Sequence, residues 1–195
     1  MLTVLIAIFL YLSVDPSFSL ITHYLSDLGA GPNGSNFVFN IGMIITSIIM
    51  VAFYIHLSLI LYMKKGYKFL IIISFCLGLI SAIGTFFVGI FPVNISQDIH
   101  NFSASFFFLG GLGAALFYTL TEFTTPKFSH IQAFSGIVII CSFLLFIVYN
   151  ALNYFNPGQY DLESHITEWI LYFIIIFWIV EHAIIVFKLK IHKTR

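Results

Sequence analysis

Long apolar runs dominate the chain, separated by short clusters of turn-forming and charged residues. A helix that crosses a bilayer needs about 20 mostly apolar residues. The stretches 37–63, 69–91, 102–120 and 131–155 all provide that length. So does 166–187, although it contains Glu168, Glu181 and His182. The opening run, 2–14, is shorter. Its thirteen residues rise about 20 Å against a hydrocarbon core of about 30 Å. It crosses only with neighbouring residues added before or after it, or in a thinned bilayer. With no basic leader and no small-residue cleavage site, it reads as a span and not as a secretion signal. The pattern predicts an all-α polytopic transmembrane helix bundle of six spans, forming one integral membrane domain over residues 1–195.

The segment after the first run has a different period. Asp15 and Pro16 make a helix start, and Gly29 makes a natural stop. Between them Ile21, Tyr24, Leu25 and Leu28 follow helical spacing, with Ser19, Thr22, His23 and Ser26 on the opposite face. This predicts a short amphipathic helix of about three turns, lying along the outer interface after the first span. Residues 29–34 then turn the chain into the second span.

Composition narrows the class. Of 195 residues, 60% are hydrophobic and 8% are charged, against about 25% charged in a soluble domain. Those figures exclude a water-soluble enzyme and a disordered chain. Lys plus Arg equals Asp plus Glu at 8 each, so no basic surplus exists to hold nucleic acid.

Charge also sets sidedness. Lys64, Lys65 and Lys68 follow the second span, Lys127 follows the fourth, and Lys188, Lys190, Lys193 and Arg195 close the chain. Six spans put all of them on one side, which the positive-inside rule makes cytoplasmic. The expectation is a multi-pass protein of the cell membrane with both termini in the cytoplasm. The opposite side then carries Asp15, Asp27, Asp98, Asp161, Glu163 and Glu168, with the N-x-S triplets at Asn33, Asn94 and Asn101. Cys76 and Cys141 stand alone in separate spans, without metal spacing.

Each outer segment supplies a His and a carboxylate. His23 comes with Asp27, His100 with Asp98, and His165 with Glu168, three residues along the same helix. Three imidazoles at one end of a bundle could hold a divalent metal, with a fourth position open for water. The metal set would be His23, His100 and His165. Without metal, a Ser–His–carboxylate relay could use Ser26 or Ser103 as nucleophile. The candidate catalytic set is therefore His23, Ser26, Asp27, His100, His165 and Glu168. The plainer alternative is structural: Asp98 caps the fourth span, Glu168 sits near the positive end of the last helix, and each His bonds to a neighbour.

Glu181 and His182 lie below the other rim, where ionisable side chains are costly and suggest function. His56 is the candidate partner, and such a pair could form a proton relay. Gly78, Ala82 and Gly84, with Gly110, Gly111, Gly113 and Ala114, let the third and fourth spans approach closely.

Several short motifs carry a resemblance. Ser26, Asp27, Leu28 and Gly29 precede a Gly/Asn turn, and Phe39, Asn40, Ile41 and Gly42 open a span. Gly89, Ile90, Phe91 and Pro92 are followed by His100 and Asn101. Thr167, Glu168 and Trp169 precede Phe177, Trp178 and Ile179. The chain resembles a prokaryotic six-helix membrane family catalogued as domain of unknown function 998. Trp169 stands where that family commonly carries a basic residue, so no ion pair is expected there. The family is remotely similar to the Frag/DRAM/Sfk group, some members of which are tied to lipid-anchor remodelling. The resemblance implies six helices and an outer polar cluster built from Ser26, Asp27, Gly29, Asn40, Pro92, His100 and Glu168; it implies no reaction.

The reading that follows is a membrane protein that binds or modifies lipid at the outer leaflet through this cluster, as a hydrolase in its enzymatic version. A non-catalytic subunit of a larger membrane complex is one alternative. A small transporter or proton relay through Glu181 and His182 is the other.

Overall fold

The computed structural model describes residues 1–126, 128 and 130–191, with side chains up to residue 184. Among the described residues six α-helices follow one another: α1 (Leu2–Leu12), α2 (Ser35–Met63), α3 (Lys68–Ile90), α4 (Gln97–Thr124), α5 (His130–Phe155) and α6 (Asp161–Ile191). A 3-10 helix, Leu25–Ala30, lies between α1 and α2. Among the described residues the last five α-helices are long and apolar enough to cross a membrane. The fold is the all-helical membrane bundle that the apolar runs predict.

Two helices begin more than a turn before their apolar runs. α4 starts at Gln97 and not near residue 102, and α6 starts at Asp161 and not near 166. Their first turns are polar, so hydropathy misses them. Asp98 lies in the first turn of α4, and Asp161 and Glu163 in that of α6, where carboxylates suit the positive end of the helix. Asp98 is therefore inside α4 and does not cap it; Ser96 holds the N-cap position.

The 11 residues of α1 rise only about 16 Å. α1 lies against α2, where Thr3 packs on Gly42, and its Tyr11 packs on Gly31 at the end of the 3-10 helix. The predicted amphipathic helix over 15–29 does not form. Its place is taken by turns and by the 3-10 helix. The cause lies in where its backbone groups bond. Ile21 O accepts from the His165 ring (3.3 Å), His23 O accepts from Trp169 Nε1 (3.0 Å), and Leu25 N donates to Glu168 Oε2 (2.7 Å). Three groups that an α-helix would pair internally are thus taken by α6. Local side-chain bonds compete as well: Asp15 Oδ1 accepts from Ser17 N, and the Ser17 hydroxyl and amide hold the Asp15 carboxyl below its ordinary range.

Each long helix packs on the next, and α6 returns to α2, closing the bundle. Leu57, Leu61, Tyr118, Ile139, Phe143 and Trp178 form the main core. A second cluster at one end joins Val4, Ala7, Phe18, Leu28, Phe39 and Trp169. α3 and α4 approach almost backbone to backbone. A Cβ on Gly84 would lie 2.6 Å from Ser103 O and collide with Phe107 N, and one on Gly110 would lie 2.7 Å from Ser81 N. Ser81 Oγ donates to Phe107 O across the same contact (2.9 Å).

The two ends of the bundle differ. One carries residues 25–34, 91–96 and 156–160, with Asp27, Asp98, Asp161 and Glu163, and is called the acidic rim below. The other carries Lys64, Lys65 and Lys68, and is called the basic rim. Lys65 ends α2 in a left-handed conformation (φ 64°), and Gly66 N reaches back to Leu61 O. Lys127, Lys193 and Arg195 fall outside the described residues, as do the side chains of Lys188 and Lys190.

Candidate functional site

A cavity of about 580 Å³ opens at the acidic rim. Its walls bring together Ser26, Asp27, His100 and Glu168, four of the six candidate residues. Phe107, Phe108 and Phe146 lie beneath them, with Phe108 and Phe146 rings 4.3 Å apart. The exposed Asn101, Ser105, Asn150 and Tyr154 form its rim between α4 and α5. A narrower apolar cavity of about 100 Å³ adjoins it. The two share Leu25, Phe39, Met43, Phe107, Phe108 and Glu168 as walls.

The polar side chains are fixed by backbone groups. Glu168 Oε2 accepts from Leu25 N, while Oε1 takes no hydrogen bond among the described residues. Asp27 Oδ2 accepts from Tyr24 N (2.8 Å) and holds the start of the 3-10 helix. Asn40 Nδ2 donates to Gly29 O (3.0 Å), and a Cβ on Gly29 would press on Asn40 Oδ1 at 2.7 Å. His100 Nδ1 sits 3.1 Å from Phe91 O. A carbonyl can only accept, so Nδ1 carries the proton there and Nε2 is the ring's other site. His100 Nε2 makes no hydrogen bond among the described residues. The residues that carry the family resemblance thus act mainly as clamps on the loops of the acidic rim.

His23 and His165 are placed differently. The His23 ring lies 5.0 Å from that of Phe18 and 5.9 Å from that of Tyr11. The His165 ring lies 4.1 Å from that of Tyr24, whose hydroxyl donates to Ser164 Oγ (2.8 Å). Neither lines the cavity. Among the described residues no group of three or more His, Cys, Asp or Glu side chains is arranged to hold a metal ion. The expected site of His23, His100 and His165 is therefore not assembled, because two of the rings fasten the segment before α2 onto α1 and α6. Glu168 is not at a helix end either. It lies seven residues into α6, about 10 Å along the axis, and bonds to the loop.

The serine candidates separate too. Ser103 Oγ donates to Ile99 O on its own helix (2.7 Å) and is not a wall of the cavity. Ser26 lines it but makes no hydrogen bond to His100 among the described residues. The cavity offers hydrogen-bonding groups and one unengaged imidazole nitrogen, without a formed nucleophile–base pair.

A second polar centre lies near the basic rim. His182 Nε2 meets Glu122 Oε1 at 2.9 Å, both side chains fully buried, and His182 Nδ1 bonds to Trp178 O at 2.9 Å. Glu181 Oε2 is 3.8 Å from His182 Nδ1. Glu122 is the partner that sequence reasoning missed. The expected partner, His56, is exposed on α2. A signal for Glu122 was available: it is an acidic residue at the end of α4, on the same rim as the end of α6. Cys76 and Cys141 are free and exposed on separate helices.

A family model described as a protein of unknown function (DUF998) matches residues 1–184. No curated protein and no solved structure matches the chain. The remoter likeness to the Frag/DRAM/Sfk group has no counterpart in these comparisons.

Proposed function

This chain belongs to the DUF998 family of unknown function, and from that premise we propose that it holds an amphiphile drawn from the outer leaflet. The acidic rim faces outward, by the positive-inside rule applied to the lysines of the other rim. The observation that carries the reading is the meeting of two unlike cavities at Glu168: one edged by carboxyl, imidazole and amide groups, the other lined by Met43, Leu171, Ile175 and similar side chains. A headgroup suits the first and part of an acyl chain the second. A volume of about 580 Å³ falls within the roughly 300–1,000 Å³ of small-molecule sites. Binding comes ahead of hydrolysis because, among the described residues, no nucleophile at the site is paired with a base. A relay through His182 and Glu122 is less favoured. His182 lies fourteen residues along α6 from Glu168, about 21 Å of helix, and Leu171 and Trp178 fill part of that interval.

Native mass spectrometry of protein released from a mild detergent tests the proposal. The wild type is expected to carry a lipid-sized adduct. Ala104→Trp and Ser105→Trp, which fill the cavity from its wall and rim, are expected to lose it while keeping the wild-type elution volume and melting temperature. A wild type without adduct, or adducts kept by both folded variants, contradicts the reading.

A further inference from the structure

The headgroup chemistry can be narrowed, on the assumption that the amphiphile reading holds. We propose that the cavity at the acidic rim selects a polyhydroxylated, uncharged headgroup, as on a glycosylated lipid, over an anionic phosphate headgroup.

The first argument is charge. The cavity walls include Asp27 and Glu168 and, among the described residues, no Lys or Arg. Phosphate recognition relies on guanidinium or ammonium groups. A positive feature is the start of α4, where Gln97 is the first helical residue and also lines the cavity. A helix end is equivalent to about half a charge. With no cationic side chain beside it and the Asp27 carboxyl in the same wall, it does not make an anion site.

The second argument is the match of donors to acceptors. Gln97, Asn101 and Asn150 line the cavity, and their side chains make no hydrogen bond among the described residues. Each primary amide offers two N–H donors and a carbonyl acceptor. The carboxyl oxygen Glu168 Oε1 and the imidazole His100 Nε2 are also unengaged among the described residues. A wall with both donors and acceptors is matched by hydroxyl groups, each of which donates and accepts. A quaternary ammonium headgroup has no N–H, O–H or acceptor atom and would leave the amide groups and the His100 imidazole without a hydrogen-bond partner. A phosphate would satisfy the amide donors and face the carboxyl oxygens. The three amides are exposed and can fall back on water, whereas Glu168 and His100 are buried, and a buried polar group left unpaired is what makes such a site reject the wrong ligand.

The geometry around the site supports a fixed recognition surface. Glu168 is held by Leu25 N and His100 by Phe91 O, so both present their remaining atoms in set directions. Asn153 is excluded from the recognising set: its amide already bonds Asp161 Oδ1 and its oxygen Tyr160 N.

The test places the full-length protein in phosphatidylcholine nanodiscs. Retention is measured for three fluorescent diacyl lipids of matched chain length: monoglucosyl-diacylglycerol, phosphatidylglycerol and a trimethylammonium lipid. The expected result is retention of the glucosyl lipid about tenfold above either charged lipid, a difference worth about 1.4 kcal/mol. Asn150→Leu is expected to remove most of that preference, with Asn101→Leu as a second variant should the first fail to fold. Equal or stronger retention of either charged lipid overturns the headgroup assignment and leaves the amphiphile reading standing. Retention of all three no higher than in the Ala104→Trp variant overturns both.

Discussion

Glu122→Ala is expected to lower the stability of the purified protein by about 3–5 kcal/mol, the cost of stripping one partner from a buried polar pair. Glu122 and His182 are both fully buried, and Nε2 lies 2.9 Å from Oε1. The rings of Trp178 and Phe53 lie 4.7 and 6.3 Å from that of His182, and Glu181 Oε2 lies 3.8 Å from Nδ1. Trp178 O accepts at Nδ1, so the Nδ1 proton is already committed, and one further proton lies on the line between Nε2 and the carboxylate. Alanine leaves Nε2 in that setting without a partner. Glu122→Gln keeps a hydrogen bond, from the amide to Nε2, and is expected to cost no more than about 1.5 kcal/mol. The double change Glu122→Leu with His182→Leu is expected to cost less than the sum of the single Leu changes, since neither group is then stranded. Unfolding curves in detergent measure all of these. An Ala variant within about 0.5 kcal/mol of wild type, the range of a neutral surface change, would contradict a structural role for the pair.

Gly84→Ala is expected to cost about 1–3 kcal/mol through overpacking. The added methyl meets main-chain atoms, Ser103 O and Phe107 N, and no flexible side-chain end is there to yield. α3 and α4 must separate to admit it, which weakens the Ser81 bond to Phe107 O. That movement also displaces one wall of the cavity, because His100, Ala104 and Phe107 sit on the same part of α4. Loss of melting temperature should therefore accompany loss of bound amphiphile. Gly34→Ala makes a useful contrast. Gly34 has open space for a Cβ but a left-handed backbone (φ 80°), so its substitution strains one turn without parting two helices. Comparable loss of bound amphiphile in both variants would argue against the link between helix contact and cavity.

The spans were legible because a membrane helix is read from length and hydropathy alone, and runs such as 69–91 carry that signal without help from the rest of the fold. The segment 15–29 was not, for a reason tied to particular atoms. Its spacing is helical, yet Ile21 O, His23 O and Leu25 N are taken by His165, Trp169 and Glu168, more than 140 residues away. Local periodicity carries no record of such distant partners. The candidate site was half legible for a related reason. Even-numbered crossings bring the segments carrying Asp27, His100 and Glu168 to one rim, which is arithmetic. Whether a histidine faces a cavity or stacks on a ring, as His23 does on Phe18, is decided by packing. Trp169, expected only as a departure from the family pattern, proves to donate its indole N–H to His23 O.

Labelling of single cysteines in intact cells tests the central claim most directly. On a Cys76→Ser, Cys141→Ser background, Tyr154→Cys lies at the cavity rim and Tyr67→Cys between α2 and α3, both at exposed positions. With a membrane-impermeant maleimide, Tyr154→Cys is expected to react in intact cells, and Tyr67→Cys only after the membrane is opened. Reaction of Tyr67→Cys from outside, with Tyr154→Cys protected until permeabilisation, would turn the cavity toward the cytoplasm and contradict a site for outer-leaflet lipid.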